Sequence, residues 1–173
     1  MSEQGTEMSR LSGGGTLEVL TLSLDGQVFA LDAAHVREIL DLVAVTEVPT
    51  SSPFVNGLIN VRGQVVPLVD LRHKFGMDLR PPTIDTRVVV IEIDLGGDRT
   101  TIGLLADKVY EVTELAAAAL EETPKIGMIW RHEFIHCIGK CGNDFIVVLD
   151  IGAIFASALR SGTDLALVHA AAA

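Results

Sequence analysis

Cysteines and aromatics are scarce in this chain, basic residues are outnumbered by acidic ones, and long hydrophobic runs are missing. Two cysteines, Cys137 and Cys141, are too few for a disulfide framework, which removes the stapled secreted scaffolds. Aromatics make up only 5 % of the residues, so a core must be built from Val, Ile, Leu and Ala. The formal net charge of −10 argues against nucleic acid as a partner, because neutralising phosphates takes clustered Lys and Arg. No apolar stretch approaches the ~18 residues that span a bilayer. The first 15 residues are polar and Gly/Ser-rich, without the basic and apolar regions of a signal peptide, and read as a flexible tail. These absences together predict a cytosolic protein that is not inserted in a membrane.

What is present is a β pattern. At 173 residues and 49 % hydrophobic content the chain is long enough for a substantial core. Short β-branched runs are separated by turn residues. Leu17–Leu24 and Val28–Leu31 flank Asp25-Gly26-Gln27 and predict a hairpin. Further strands are predicted at Val36–Leu40, Val43–Val48, Gly57–Val61 and Gln64–Leu71, the last two joined by a turn at Arg62-Gly63. Gly76 to Thr86, with Pro81-Pro82, reads as a connector. Beyond it Arg87–Leu95, Thr100–Leu105, Val109–Val112, Ile126–Trp130, Phe134–Ile138 and Phe145–Ile151 continue the pattern. Leu115–Glu122 suggests a helical turn, Ala153–Arg160 has helical composition, and residues 159–173 form a fraying tail.

The two halves repeat each other. At an offset of 80, Phe54–Leu58 matches Phe134–Ile138, Val65–Leu71 matches Phe145–Ile151, and Phe75 matches Phe155. At an offset of 73, Phe29-Ala30-Leu31 matches Ile102-Gly103-Leu104, and Val36–Ile39 matches Val109–Val112. The same order in both halves predicts a duplicated small β-barrel, with one subdomain at about 16–80 and the other at about 84–158. Units of that size hold little core alone and must pack together, leaving a groove between them.

Gly57-Leu58-Ile59-Asn60-Val61-Arg62-Gly63-Gln64-Val65-Val66-Pro67-Leu68-Val69-Asp70-Leu71-Arg72 resembles the strand–turn–strand signature of the CheW-like domain family. Val36-Arg37-Glu38-Ile39, Val48-Pro49, Ile102–Val109 and Ile146–Ile151 resemble the family in the same order, so the likeness runs from about residue 17 to 158. The resemblance implies an all-β fold of two SH3-like five-stranded barrels, with short helices and a C-terminal helix. It implies a non-enzymatic adaptor, without cofactor or metal, that couples the cytoplasmic tips of chemoreceptors to the histidine kinase CheA in membrane-associated arrays. It also implies that Val36, Glu38, Gly57, Arg62, Gly103 and Val109 serve receptor or kinase coupling, with Arg62 and Glu38 close together. The chain carries neither a kinase segment nor Walker A spacing, and so resembles the free adaptor.

A competing motif lies in the second half. His132-Glu133-Phe134-Ile135-His136 is a literal HExxH, the pattern by which a helix presents two zinc ligands and a general base for hydrolysis. No Glu follows Glu133 to supply a third ligand, and Gly139 and Gly142 would break the helix within two turns. The offset of 80 instead places the segment on a strand, where residues four apart stand ~13 Å from one another, too far to share one ion. Cys137 and Cys141 do not meet zinc-pair spacing and read as reduced thiols.

Overall fold

The computed structural model describes residues 15–49, 54–121 and 132–160. Strands β1 (Thr16–Leu24) and β2 (Gln27–Asp32) form the expected hairpin. Asp25 and Gly26 both take positive φ (48° and 77°) at its tip, the tight two-residue turn that matches strand twist. A 3-10 turn (Ala33–His35) leads to β3 (Val36–Asp41), and β4 (Val55–Val61) and β5 (Gln64–Val69) are followed by a short helix α1 (Leu71–Phe75). Residues 76–86 hold no strand or helix, as the connector reading expected. Then come β6 (Arg87–Leu95), β7 (Asp98–Ala106), β8 (Lys108–Ala116), β9 (Leu120–Glu121), β10 (Ile135–Cys141), β11 (Asp144–Leu149) and helix α2 (Ile151–Arg160).

Three local expectations need correction. The strand predicted at Val43–Val48 is reduced to a single bridge between Thr46 and Leu58. The predicted helical turn in Leu115–Glu122 is present but shorter: a 3-10 turn covers Ala117–Ala119, with β8 continuing through Ala116 before it and β9 after it. The strands expected to reach Leu71 and Ile151 stop at Val69 and Leu149, because the Asp70 and Asp150 carboxylates accept from the Arg72 and Ala153 amides and cap α1 and α2. Ile126–Trp130 and the two predicted tails, apart from Gly15, Leu159 and Arg160, lie outside the described residues.

The fold is mostly β, in two sheets ordered β8-β1-β2-β11-β10-β9 and β3-β6-β7-β5-β4. Their registers repeat the offsets seen in the sequence. Val55 pairs Val69 and Gly57 pairs Leu68 across a bulge; Ile135 pairs Leu149 and Cys137 pairs Val148 across an equivalent bulge. β5 lies parallel to β7 through Leu68 and Gly103, as β11 lies parallel to β2 through Val148 and Ala30. The boundary expected near residue 80 does not separate the sheets. β8 of the second half pairs with β1 of the first, while β3 of the first pairs with β6 of the second. The halves have exchanged their first hairpins, β1–β2 for β6–β7, so each sheet needs both halves.

Burial follows from this exchange. A large apolar cluster, including Leu20, Phe29, Ile91, Leu104, Phe155 and Leu71, fills the space between the sheets. Each sheet also encloses a smaller cluster, one around Ile59, Val66 and Val88, the other around Val19, Leu115 and Ile146. Val66 and Ile146 therefore occupy equivalent positions. At the centre the aromatics pair crosswise, Phe54 with Phe155 at 5.7 Å and Phe75 with Phe134 at 6.3 Å between ring centroids. That crossing is what a pseudo-two-fold relation between the halves requires.

One buried ion network ties these parts together. The Arg72 side chain is only 6 % exposed, and its Nε and Nη2 donate to the two oxygens of Asp70 at 2.9 and 2.8 Å. Its Nη1 donates to Asp107 Oδ1 at 3.0 Å and to the Arg80 carbonyl at 3.1 Å. Asp107 Oδ2 accepts from the Asp25 amide at 2.7 Å, and Asp25 Oδ1 accepts from Arg80 Nε at 2.8 Å. Hydrogen bonding to Asp70, opposed by burial, holds the guanidinium above its ordinary pKa. Removing the cation would strand the Asp70 carboxylate, 2 % exposed, in the interior, a change that costs ~3–5 kcal/mol. Arg72→Met should therefore lower the urea midpoint by that equivalent, measured by circular dichroism on the purified chain.

Candidate functional surface at the β4–β5 turn

The turn between β4 and β5 carries the expected Arg. Arg62 and Gly63 both have positive φ (51° and 83°), and Val61 pairs Gln64 directly across the turn. Glycine adopts this conformation freely, whereas arginine does so against steric preference. The Asn60 side chain accepts from the Gly63 amide at 2.8 Å and closes the turn. From there Arg62 Nε donates to Glu38 Oε2 on β3 at 2.9 Å. A bulge between Val36 and Glu38 breaks the regular pairing of β3 with β6. Arg37 within it donates instead to Glu92, which also bonds Arg99. The Arg62 side chain remains 80 % exposed and that of Glu38 23 %, so the pair is a surface feature.

The other candidate residues sit elsewhere. Val36 and Val109 are half-buried and pack against the central cluster. Gly57 is interior: Thr46 and Leu58 exchange backbone hydrogen bonds of 2.8 and 2.9 Å beside it. A Cβ on Gly57 would lie 2.4 Å from the Thr46 carbonyl oxygen. Gly103 is also interior, and a Cβ there would stand 3.0 Å from Val88 Cγ1 and 3.2 Å from Ile59 Cδ1. Of the six, Arg62 and Glu38 are joined by a side-chain hydrogen bond. Asn60, within the signature segment, is a further residue of this surface, since it closes the turn that carries Arg62. Its signal is the spacing Asn-x-x-Gly, which sets a short acceptor three residues before an amide that needs one.

The HExxH segment does not form a zinc-binding helix. His132–Phe134 is a 3-10 turn and Ile135–Cys141 is strand β10. Among the described residues no three His, Cys, Asp or Glu side chains converge. Chain purified without a histidine tag should carry well below one zinc per molecule by elemental analysis.

The two thiols differ in setting. Cys137 is buried and its thiol is pushed up to about 11 by desolvation, while Cys141 is exposed at the hairpin end. A raised folded-state value leaves stability intact below the ordinary value of 9.0 and erodes it as pH climbs toward 11. Titration with a thiol-reactive chromophore at pH 8 should label Cys141 rapidly, and Cys137 only after denaturant is added.

Comparison with known proteins settles the family. The model of the CheW-like domain matches residues 18–159. This chain belongs to the CheW-like domain family. It is 28 % identical over 151 residues to the chemotaxis protein CheW of Klebsiella aerogenes, covering 87 % of this chain and 86 % of that one. Protein PilI of Pseudomonas aeruginosa is 32 % identical over 88 residues, half of this chain and 47 % of its own length. The crystal structure of the scaffolding protein TtCheW from Thermoanaerobacter tengcongensis superimposes with a TM-score of 0.72 at 27 % identity, covering 83 % of this chain and 90 % of that one. The chain is thus a CheW-type chemotaxis scaffold, in a family of non-enzymatic adaptors, and the hydrolase alternative falls. None of the helices among the described residues is long and apolar enough to cross a membrane.

Proposed function

We propose that this chain couples the cytoplasmic tips of chemoreceptors to the regulatory domain of the kinase CheA, working in the cytoplasm and recruited to receptor arrays. The observation that carries this reading is the exposed Arg62–Glu38 pair on the family's signature turn. A guanidinium is a rigid fork of donors suited to carboxylates and backbone carbonyls. Glu38 fixes its position while leaving most of its surface open to a partner. Val36, Gly57 and Gly103 serve the same coupling by shaping the strands of that sheet, and Val109 serves it from the edge strand of the other sheet.

Each sheet closes on itself as an SH3-like barrel. The Thr46–Leu58 bridge supports closure in one, and the pairing of β9 with β10 through Gly139 and Leu120 supports it in the other. Two closed units, related by the offsets of 73 and 80, offer two pseudo-equivalent faces to two kinds of partner.

Reconstitution of CheA with receptor fragments, with and without this chain, tests the reading directly. Kinase stimulation should depend on the added chain, and its absence would overturn the proposal. Arg62→Ala should leave the melting transition nearly unchanged, since an exposed pair contributes at most ~1 kcal/mol to stability. The same variant should weaken receptor or kinase binding more than tenfold, as truncating a shielded interface Arg costs upwards of ~2 kcal/mol. Calorimetry and a kinase assay on one preparation read both effects.

A further inference from the structure

The duplicated halves provide an internal comparison for the signature turn. At the offset of 80, Arg62 corresponds to Gly142 and Asn60 to Lys140. The β10–β11 turn therefore starts with a glycine at positive φ (64°), where steric preference puts one. The β4–β5 turn has an arginine at that place with φ 51°. It also has what its counterpart lacks, a side-chain acceptor two residues earlier. Asn60 Oδ1 takes the Gly63 amide at 2.8 Å, bridging the base of the turn to its second corner.

Two further turns each share one part of this geometry. Asp94 Oδ1 accepts from the Gly97 amide at 2.8 Å across the β6–β7 turn, the same three-residue span. The β1–β2 turn puts Asp25, a residue type that tolerates the left-handed region, where β4–β5 puts Arg62. Arg62 has no such tolerance of its own. Its conformation is stabilised from outside, and the side chain that bonds across the turn is Asn60. That conformation in turn sets where the side chain leaves the backbone, and Nε meets Glu38 at 2.9 Å from that starting point.

We infer that Asn60 is the positioning residue for Arg62: its carboxamide holds the left-handed turn that sets the guanidinium on Glu38 and toward the partner. This rests on the reading of Arg62 as a contact residue. Asn60 itself touches no partner. Its side-chain oxygen is the working atom, so Asp can replace it and Ala cannot.

The test uses the full chain, 15N-labelled, as wild type, Asn60→Ala, Asn60→Asp, Arg62→Ala and the Asn60→Ala/Arg62→Ala double variant. In Asn60→Ala the Arg62 Nε–H signal should exchange with water about tenfold faster, and partner affinity should fall about tenfold, toward that of Arg62→Ala. Asn60→Asp should restore both, which also guards against a folding defect in the alanine variant. In the Arg62→Ala background, Asn60→Ala should cause no further loss of affinity. Equal loss in both backgrounds would make Asn60 a contact or a general structural residue and overturn the inference. So would an unchanged Nε–H signal in Asn60→Ala. Normal binding by Arg62→Ala would instead overturn the contact reading, and the Nε–H signal would still decide whether Asn60 positions the turn.

Discussion

The guanidinium of Arg72 stands where four parts of the chain meet: the cap of α1, the β1–β2 turn, the β7–β8 turn and the connector. Its bidentate bond to Asp70 fixes the end of β5, and its bond to Asp107 reaches the far side of the second half. Asp107 passes the constraint on through the Asp25 amide, and Asp25 takes hold of Arg80. A buried network of this kind adds little net stability compared with an apolar substitute, because desolvation offsets the Coulomb gain. What it supplies is geometry. Apolar surfaces slide over one another at small cost, whereas five hydrogen-bonded charges permit one arrangement. The relative placement of the two sheets, and of the signature turn on one of them, depends on that arrangement.

The second half does not repeat this clamp at the matching position. Asp150 caps α2 through the Ala153 amide, as Asp70 caps α1, but the residue matching Arg72 is Gly152. The longer helix α2 instead buries Ile151, Ile154, Phe155 and Ala158 in the central cluster. The position of Ile154 is taken in α1 by Lys74, whose ammonium lies 5.7 and 5.4 Å from the Phe54 and Phe134 ring centroids. One end of the molecule is thus held by ions and the other by apolar packing. The duplication gave both ends the same backbone, and the side chains then divided the work.

Much of this was legible in the sequence, for definite reasons. Strands and hairpin turns are local, so Asp25-Gly26 and Arg62-Gly63 announced themselves, and the offsets of 73 and 80 survive as register and bulge positions. The nearness of Arg62 and Glu38 came from the family resemblance, not from spacing. The strand exchange was not legible, because β8 reads alike whether it pairs with β7 or with β1. The interior places of Gly57 and Gly103 were also hidden, since a glycine's neighbours cannot be read from its own segment. The HExxH motif misled for the converse reason: its chemistry needs a helix, and the same five letters lie here across a turn and a strand.

The exchange of first hairpins bears on the order in which the chain can assemble. Leu20 waits for Val112, and Phe29 for Val147, so strands made early stay incomplete until nearly the whole chain has left the ribosome. A nascent chain ending in the connector would have only hairpins and a free β3, with apolar edges open on both sides. Such long-range pairing raises the entropy that must be lost before contacts repay it, and slows folding. The same feature makes the finished molecule indivisible. Neither half completes a sheet by itself, so the two-sheet body should unfold as one cooperative unit, despite its origin as two.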